Sequence, residues 1–399
     1  MKKLALIAII CGLAMPVMSQ QALFGGAEFK SPEINPDNTV TFRLFAPKAK
    51  EVSVTGDFLP SVPIETPMGV WDAPGVAQLT KGENGVWEYT TPQPLSPELY
   101  MYSFSVDSLR MMDPANVYMN RDVATVTNIF LIDSVGSRAN LYKVNDVPHG
   151  TVSRVWYDSP TLGKKRRMSI YTPPGYADSN ESYPVFYLLH GAGGDEEAWL
   201  ALGRSAQIMD NLIAEGKAEP MIVVMTNGNA VQSAAPGESA DGFVKPSMDV
   251  SRMNRGEFET SFPDVVNYVD SHYRTKTDKA NRAIAGLSMG GYHSLHISKQ
   301  YPDLFDYVGL FSAAIFPPEN SDSPIYQDFD QKLRTQFEKN PKLYWIAIGN
   351  KDFLYDANKQ YRQILDENNY PYTYVETPDG HIWKNWRIYL TEFAPQLFK

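Results

Sequence analysis

The spacing of hydrophobic and polar residues changes character about a third of the way along the chain. Before about residue 140, short runs of alternating hydrophobic and polar residues are separated by turns rich in Pro, Gly and Asn. This pattern is typical of an all-β sandwich, and its clearest strands are residues 39–45, 51–56, 85–90 and 99–106. From about residue 150, continuous apolar runs alternate with amphipathic stretches, which predicts an α/β domain with a mainly parallel sheet.

The chain therefore divides into four predicted segments. Residues 1–19 have the form of a secretory signal peptide, because Lys2 and Lys3 precede a short apolar run and small residues precede a cleavage site near residue 20. The sandwich follows at residues 22–138, a linker at residues 139–149 and the α/β domain at residues 150–399. The apolar run of the signal is too short to remain as a membrane span, so we expect no integral span in the mature form.

Cysteine content and net charge indicate where the protein acts and which classes of partner it does not bind. The single cysteine, Cys11, lies inside the predicted signal. Export without disulfides is typical of a bacterial periplasm or of a secreted bacterial protein. The net charge of −10 makes nucleic acid and anionic membranes poor partners. The one basic cluster, residues 164–167, is predicted to form a hairpin turn with solvated charges.

One short motif points to nucleophilic catalysis. Residues 286–291 read Gly-Leu-Ser-Met-Gly-Gly, with a predicted strand before them and a predicted helix after them. A sharp strand-to-helix turn with small neighbours projects a serine hydroxyl into a cleft. Ser288 is therefore the candidate nucleophile.

A nucleophilic serine requires a base, and six histidines are available. His381 lies in a turn directly after the predicted strand 372–375, where the cleft should be, and is the candidate base. The other histidines are predicted on helices, in the linker or at a strand end, namely His149, His190, His272, His293 and His296.

The acid that orients the base should also follow a buried strand. The apolar run 343–348 leads into Asp352, which is the leading candidate. Asp356 is the alternative, since Asp352 could instead cap the helix predicted from residue 355. The order serine, aspartate, histidine is that of α/β-hydrolases.

The sequence also predicts which backbone amides form the oxyanion hole. A glycine-rich loop follows the strand 185–189, so the amides of Gly191 and Ala192 can approach a developing negative charge. The second donor should be the amide of Met289, the residue after the nucleophile. The loop matches no nucleotide-binding motif. This chemistry needs no metal and no organic cofactor.

Residues 148–399 carry several further motifs of one family. They include Arg-Met-Ser-Ile-Tyr-Thr-Pro-Pro-Gly-Tyr at 167–176, Gly-Asn-Lys-Asp at 349–352 and Gly-His-Ile-Trp at 380–383. With the serine motif, they resemble the esterase-D-like α/β-hydrolases, and most closely the feruloyl and acetylxylan esterases of carbohydrate esterase family 1. The triad of that family falls on Ser288, Asp352 and His381.

The first domain resembles a second family. The matching segments include Val-Thr-Phe-Arg-Leu-Phe-Ala-Pro at 40–47, Gly-Val-Trp at 85–87 and Asp-Pro-Ala-Asn at 113–116. They are similar to the immunoglobulin-like carbohydrate-binding module family 48. The resemblance implies glycan binding, for which Trp71 and Trp87 could supply stacking surfaces, although a tryptophan in a strand can equally belong to the core.

Together these features predict an exported serine esterase that releases ferulate or a related hydroxycinnamate from plant cell-wall xylan. Its expected partners are feruloylated or acetylated xylan and oligosaccharides, and Trp199 and Trp383 are candidates for an acyl or sugar subsite. The alternatives are an acetylxylan esterase, an iron-siderophore esterase and a non-catalytic carbohydrate-binding protein. We further expect residues 230–256 to form a mobile loop at the entrance, and the sandwich to tether the enzyme to polymer without contributing to the chemistry.

Overall fold

The computed structural model describes residues 29–66, 69–248, 250, 255–317 and 321–399, with backbone only for residues 66 and 69–72. The predicted signal peptide and the side chain of Trp71 lie outside the described residues. Within the described ranges, no helix has the length and apolarity needed to cross a bilayer.

The N-terminal part is a β-sandwich, as its alternating pattern predicts. Val40, Phe42 and Leu44 face inward on one strand and are at most 2% exposed, whereas Arg43 is half-buried and Phe45 is exposed. Aromatic rings fill the core, with Phe42 stacked on Phe58 at 4.8 Å. The strands are β1 Glu33–Ile34, β2 Val40–Phe45, β3 Val52–Gly56, β4 Val62–Thr66, β5 Gly69–Ala73, β6 Gly75–Gln78, β7 Thr80–Lys81, β8 Val86–Thr90, β9 Glu98–Val106, β10 Leu109–Met111, β11 Met119–Asp122 and β12 Thr125–Ile132.

Two sheets face each other in this sandwich. One has the strand order β1-β2-β8-β7, and the other has the order β11-β12-β9-β3-β6 with β10 paired to β9. Strands β4 and β5 form a separate hairpin. Trp87 on β8 is 7% exposed and belongs to the sandwich core, so it offers little surface for stacking a sugar.

The C-terminal part is an α/β domain with helices packed on a central sheet. The sheet order is β13-β14-β16-β15-β17-β18-β19-β20; β13 and β14 are antiparallel to their neighbours and the other pairs are parallel. Its elements are β13 Thr151–Ser159, β14 Lys164–Thr172, β15 Val185–Leu189, α1 Ala198–Ala201, α2 Ser205–Ala214, β16 Ile222–Thr226, α3 Glu257–His272, β17 Arg282–Leu287, α4 Met289–Gln300, β18 Tyr307–Phe311, α5 Phe329–Glu338, β19 Leu343–Gly349, α6 Tyr355–Glu367, β20 Thr373–Thr377 and α7 Trp383–Phe393.

The strand order places a crevice at one edge of this sheet. Strand β15 lies between β16 and β17. The chain first extends the sheet on the β16 side and then returns to extend it on the β17 side, so the winding direction reverses between β15 and β17. In open α/β sheets, ligands bind beyond the carboxyl ends of the strands at such a switch point. His190 follows β15 and Ser288 follows β17, so both lie at this edge.

The predicted linker is packed rather than free. It begins within a 3₁₀ helix, Arg138–Tyr142, whose Ala139 and Tyr142 are at most 1% exposed. These side chains share a core cluster with the α/β domain and with Leu99 of the sandwich. The two domains are therefore joined by a common apolar core.

The basic cluster at residues 164–167 corrects one sequence-based expectation. The hairpin turn is present, with Gly163 at φ 64°, but Arg166 and Arg167 are 0% and 5% exposed. Arg166 donates to the carbonyl oxygens of Asn227, Asn229 and Gln232. Arg167 forms ion pairs with Glu196, Glu197 and Glu238. These partners come from loops distant in sequence, so a local charge pattern could not reveal them.

Candidate active site

Ser288 occupies a strained turn between β17 and α4. Its backbone angles, φ 53° and ψ −115°, are unusual for a residue with a side chain. Glycines make the turn possible: a Cβ on Gly290 would lie 2.4 Å from the carbonyl oxygen of Leu189, and one on Gly286 would lie 2.5 Å from the backbone of Gly290. The strand-turn-helix context predicted from sequence is present, and the serine lines a cavity.

His381 and Asp352 are hydrogen-bonded at the same edge of the sheet. His381 Nδ1 lies 2.8 Å from Asp352 Oδ2, and the Asp352 side chain is fully buried. Since a carboxylate only accepts, Nδ1 carries the proton and Nε2 is left to accept one. The second carboxylate oxygen accepts from the amide of Leu354 at 2.9 Å. His381 lines the same cavity as Ser288.

The structure places the alternative candidates elsewhere. Asp356 is exposed in the first turn of α6. Among the other histidines, His293 is bonded to Glu259 and His149 to Asp210, both at ring nitrogens. His272 is stacked on Tyr268 at 4.0 Å, on the outer surface. None of these side chains lines the cavity that Ser288 and His381 line.

The glycine loop after β15 approaches the serine closely. A Cβ on Gly191 would lie 2.5 Å from Leu287 and 3.3 Å from the Cβ of Ser288, so the backbone of this loop borders the reacting centre. Gly191 and Ala192 line the cavity. Met289 is the first residue of α4, whose initial amides have no partner within the helix and carry its positive dipole end. Gly191 and Ala192 thus line the cavity with Ser288, and Met289 follows the serine at the start of α4.

His190 fixes the shape of this loop and does not act as a base. Its Nδ1 lies 2.7 Å from the carbonyl oxygen of Gly191, and its Nε2 accepts from the amide of Gly228 at 2.7 Å. A carbonyl accepts and an amide donates, so the ring is neutral and carries its proton on Nδ1. Burial lowers the pKa of His190 to about 4, which maintains this neutral form.

The cavity above Ser288 is bounded by both domains. Its volume is about 1210 Å³. The catalytic edge of the α/β sheet forms one wall, and the six-stranded sheet of the sandwich contributes Asp57, Asp122 and Thr125 to the other. Removal from bulk water raises the pKa of Asp57 to about 7, although its side chain is open to the cavity. Burial likewise raises the pKa of Asp122, and a hydrogen bond from Trp383 lowers it.

The two predicted subsite tryptophans differ in position. Trp383 lines the cavity beside Trp386, with ring centroids 5.0 Å apart. Trp199 is 1% exposed, donates to the carbonyl oxygen of Leu189 at 2.9 Å and packs behind Trp383. It is a core residue, and the expectation that it contacts substrate is corrected, because α1 turns its indole towards the sheet.

Sequence reasoning missed the contribution of the β11–β12 hairpin. Arg121 forms an ion pair with Asp195, next to the oxyanion loop. The methyl groups of Val123 lie 2.7 and 2.9 Å from the position that a Cβ on Gly193 would take. The two-residue turn lacks the Gly or Asn that such turns prefer, and Val123 has φ 52°. These unfavourable turn residues were the only sign in the local sequence that the hairpin contributes to the site.

Comparison with known proteins finds similar families for both parts of the chain. A family model described as putative esterase matches residues 159–397, and one described as carbohydrate-binding module 48 (isoamylase N-terminal domain) matches residues 26–117. A curated endo-1,4-beta-xylanase/feruloyl esterase from Xylanibacter ruminicola is 30% identical over 92% of this chain and 46% of its own length. An esterase from Mycobacterium tuberculosis is 28% identical over 45% of this chain and 36% of its own. The chain thus spans less than half the length of these relatives.

Solved structures show the same fold. A carbohydrate esterase family 1 ferulic acid esterase from Anaeromyces mucronatus, in complex with ferulic acid, is 29% identical, with a TM-score of 0.51 over 64% of this chain and 93% of its own. An enterobactin esterase from Shigella flexneri has a TM-score of 0.61 over 90% of this chain and 93% of its own, at 15% identity, which shows likeness of fold alone. The resemblances seen in the sequence are confirmed. The chain belongs to the putative esterase family, with an α/β-hydrolase domain preceded by a carbohydrate-binding-module-48-like sandwich.

Proposed function

We propose that this protein is an exported serine esterase that releases ferulate or a related hydroxycinnamate from plant cell-wall xylan. The observation that carries the proposal is the hydrogen bond of 2.8 Å between His381 and Asp352 in the cavity that Ser288 lines. The names of the Xylanibacter relative, a xylanase/feruloyl esterase, and of the Anaeromyces ferulic acid esterase support the choice of feruloyl ester. The predicted signal peptide supports export to the periplasm or the medium.

In the proposed reaction, His381 Nε2 takes the proton of Ser288 as Oγ attacks the ester carbonyl. The amides of Gly191, Ala192 and Met289 receive the oxyanion. Collapse of the tetrahedral intermediate expels the sugar oxygen, which takes the proton from His381, and leaves an acyl-enzyme. Water, deprotonated by His381, then releases the carboxylic acid and restores the serine. Asp352 holds the imidazole and stabilises its positive form.

The cavity supports an aromatic acyl group over acetate. Trp383, Trp386 and Leu287 line the cavity beside the reacting centre, each with only a small apolar edge exposed to it. Aromatic rings pack edge to face on such surfaces, whereas acetate would leave most of the surface open to water. An acetylxylan esterase is expected to have a smaller acyl pocket.

The charges of the cavity disfavour an iron-siderophore esterase. A ferric catecholate complex is large and anionic, and binding it calls for unpaired cations. Of the arginines that line the cavity, Arg121, Arg154 and Arg167 are each paired with a carboxylate, and Arg110 donates to the hydroxyl of Ser103. Asp57 and Asp122 add carboxyl groups, rather than cations, to the facing wall.

One comparison separates these functions. The same preparation is assayed on methyl ferulate, 4-nitrophenyl acetate and a catecholate siderophore, with Ser288→Ala as the blank. The proposal expects the highest kcat/KM on methyl ferulate. A higher value on the acetate or on the siderophore would replace it with the corresponding alternative, and the absence of any hydrolysis would favour a carbohydrate-binding protein.

A further inference from the structure

The substrate cavity extends well beyond the catalytic groups. At about 1210 Å³, it exceeds the roughly 300–1,000 Å³ of ordinary small-molecule sites. A feruloyl group is a single substituted ring with a short chain, so it can fill only part of this space. The remaining space lies between Ser288 and the sandwich.

The two walls of the cavity differ in chemistry. On the α/β side, the groups beside the triad are apolar, notably Trp383 and Trp386. On the sandwich side, Asp57, Asp122 and Thr125 present carboxyl groups and a hydroxyl, and Arg110 and Arg121 line the same wall. Asp57 and Thr125 are open to the cavity, and one oxygen of Asp57 accepts from the amide of Met101 at 2.8 Å. The apolar wall suits the acyl ring, and the polar wall suits groups that donate hydrogen bonds.

Specific contacts hold the sandwich wall against the glycine loop that follows β15. Arg121 is paired with Asp195, and Asp122 accepts from Trp383, the second residue after the catalytic histidine. Val123 adopts a left-handed backbone conformation, which is costly for a β-branched residue, and its methyl groups press on Gly193. Strain of this kind persists where the surroundings over-determine it, often at ligand sites. The distance between Ser288 and the polar wall is therefore set by the fold.

Given the proposed function, we infer that the sugar carrying the ester binds between Ser288 and the sandwich, with its free hydroxyls on Asp57, Asp122 and Thr125. The ligand class is a neutral pentose or a short xylo-oligosaccharide. Its hydroxyls donate hydrogen bonds to the carboxyl oxygens of Asp57 and Asp122 and to the hydroxyl oxygen of Thr125. The sandwich then acts as the leaving-group subsite of the active site, and its contribution is needed even for short substrates.

Two variants test this subsite without touching the triad. Asp57→Asn replaces one accepting carboxyl oxygen with an amide group and Thr125→Val removes a hydroxyl, whereas Asp122 also accepts from Trp383, so its substitution would mix two effects. The substrates are a feruloylated arabinoxylotriose and methyl ferulate, with kcat and KM measured separately. For each variant, the ratio of kcat/KM on the trisaccharide to that on methyl ferulate should fall about tenfold, chiefly through KM. Thr80→Val, exposed on β7 in the other sheet, should leave the ratio unchanged.

The outcomes distinguish this inference from the proposed function. Ratios within twofold of wild type for both variants would overturn the subsite, while wild-type hydrolysis of methyl ferulate would leave the esterase proposal standing. A loss on polymeric xylan without a loss on the trisaccharide would also overturn it, since it would indicate a remote tether.

If wild type hydrolyses no feruloyl ester, unesterified arabinoxylotriose is titrated calorimetrically into Ser288→Ala. Weaker binding after Asp57→Asn would support the subsite, and unchanged binding would refute it.

Discussion

Arg387 of α7 and Glu98 of β9 form a buried ion pair between the two domains. Their Nη2 and Oε1 atoms are 2.9 Å apart, and the side chains are 1% and 9% exposed. The same guanidinium donates to the carbonyl oxygens of Leu99 and Leu202. Because α7 begins two residues after His381, this pair connects the sandwich to the segment that carries the catalytic base.

Arg387→Met should lower the free energy of unfolding by about 3–5 kcal/mol, because it leaves the carboxylate of Glu98 buried without its partner. Chemical denaturation measures this. The matched control is Arg138→Met, which removes a pair with Glu392 at the same helix; that pair is exposed and should be worth no more than about 1 kcal/mol. Equal losses of unfolding free energy in the two variants would show that the buried interdomain pair stabilises the protein no more than the exposed pair does.

Gly193→Ala should reduce kcat and stability together. Gly193 has φ 73°, and an added Cβ would lie 2.7 Å from Val123, so the oxyanion loop or the hairpin must move. Gly136→Ala provides the control, since Gly136 has φ 80° with nothing within 4 Å of the added atom. The control should lose about 1 kcal/mol of stability from backbone strain and keep its activity. Full activity in Gly193→Ala would mean that the contact with Val123 does not shape the site.

Asp352→Asn should lower kcat by about a thousandfold or more, because the amide cannot hold His381 in the required tautomer as a carboxylate does. Asp356→Asn should stay near wild type, since Asp356 is exposed on α6. Steady-state kinetics on methyl ferulate measure both. The reverse ranking would move the acid to Asp356.

His190 should make stability depend on pH. Its pKa is lowered from 6.5 to about 4 in the folded protein, so the unfolded chain takes up a proton first as the pH falls. The stabilisation is complete above about pH 6.5 and is lost progressively towards pH 4. Denaturation midpoints across this range should fall less steeply in His190→Asn than in wild type. His272→Gln, which changes an exposed histidine, should keep the wild-type slope, and an unchanged slope in His190→Asn would remove His190 as the cause.

Much of the fold and the proposed catalytic residues followed from local patterns. Strand β19 was expected at residues 343–348 and spans Leu343–Gly349, because a run buried on both faces is apolar throughout. Ser288 and His381 could be chosen because the carboxyl ends of parallel strands meet at one edge.

What could not be predicted depends on contacts between distant segments. Arg167 appeared to be a solvated surface charge, yet its partners come from residues 196, 197 and 238. The sandwich appeared dispensable for the chemistry, because every proposed catalytic group follows residue 189. The structure brings Val123 against Gly193 and Asp122 against Trp383, so an isolated α/β domain would lack one wall of its cavity. The expected mobility of residues 230–256 remains a prediction; Ala235 and Met248 of that segment line the cavity, and Asp249 and residues 251–254 lie outside the described residues.

The most direct test of the account is the hydrolysis of methyl ferulate by Ser288→Ala, measured beside its thermal unfolding. The account predicts a loss of at least about a thousandfold in kcat, because the nucleophile is gone, with an unfolding midpoint close to that of wild type. A folded Ser288→Ala protein that keeps more than about a tenth of wild-type activity would contradict the account and require another nucleophile.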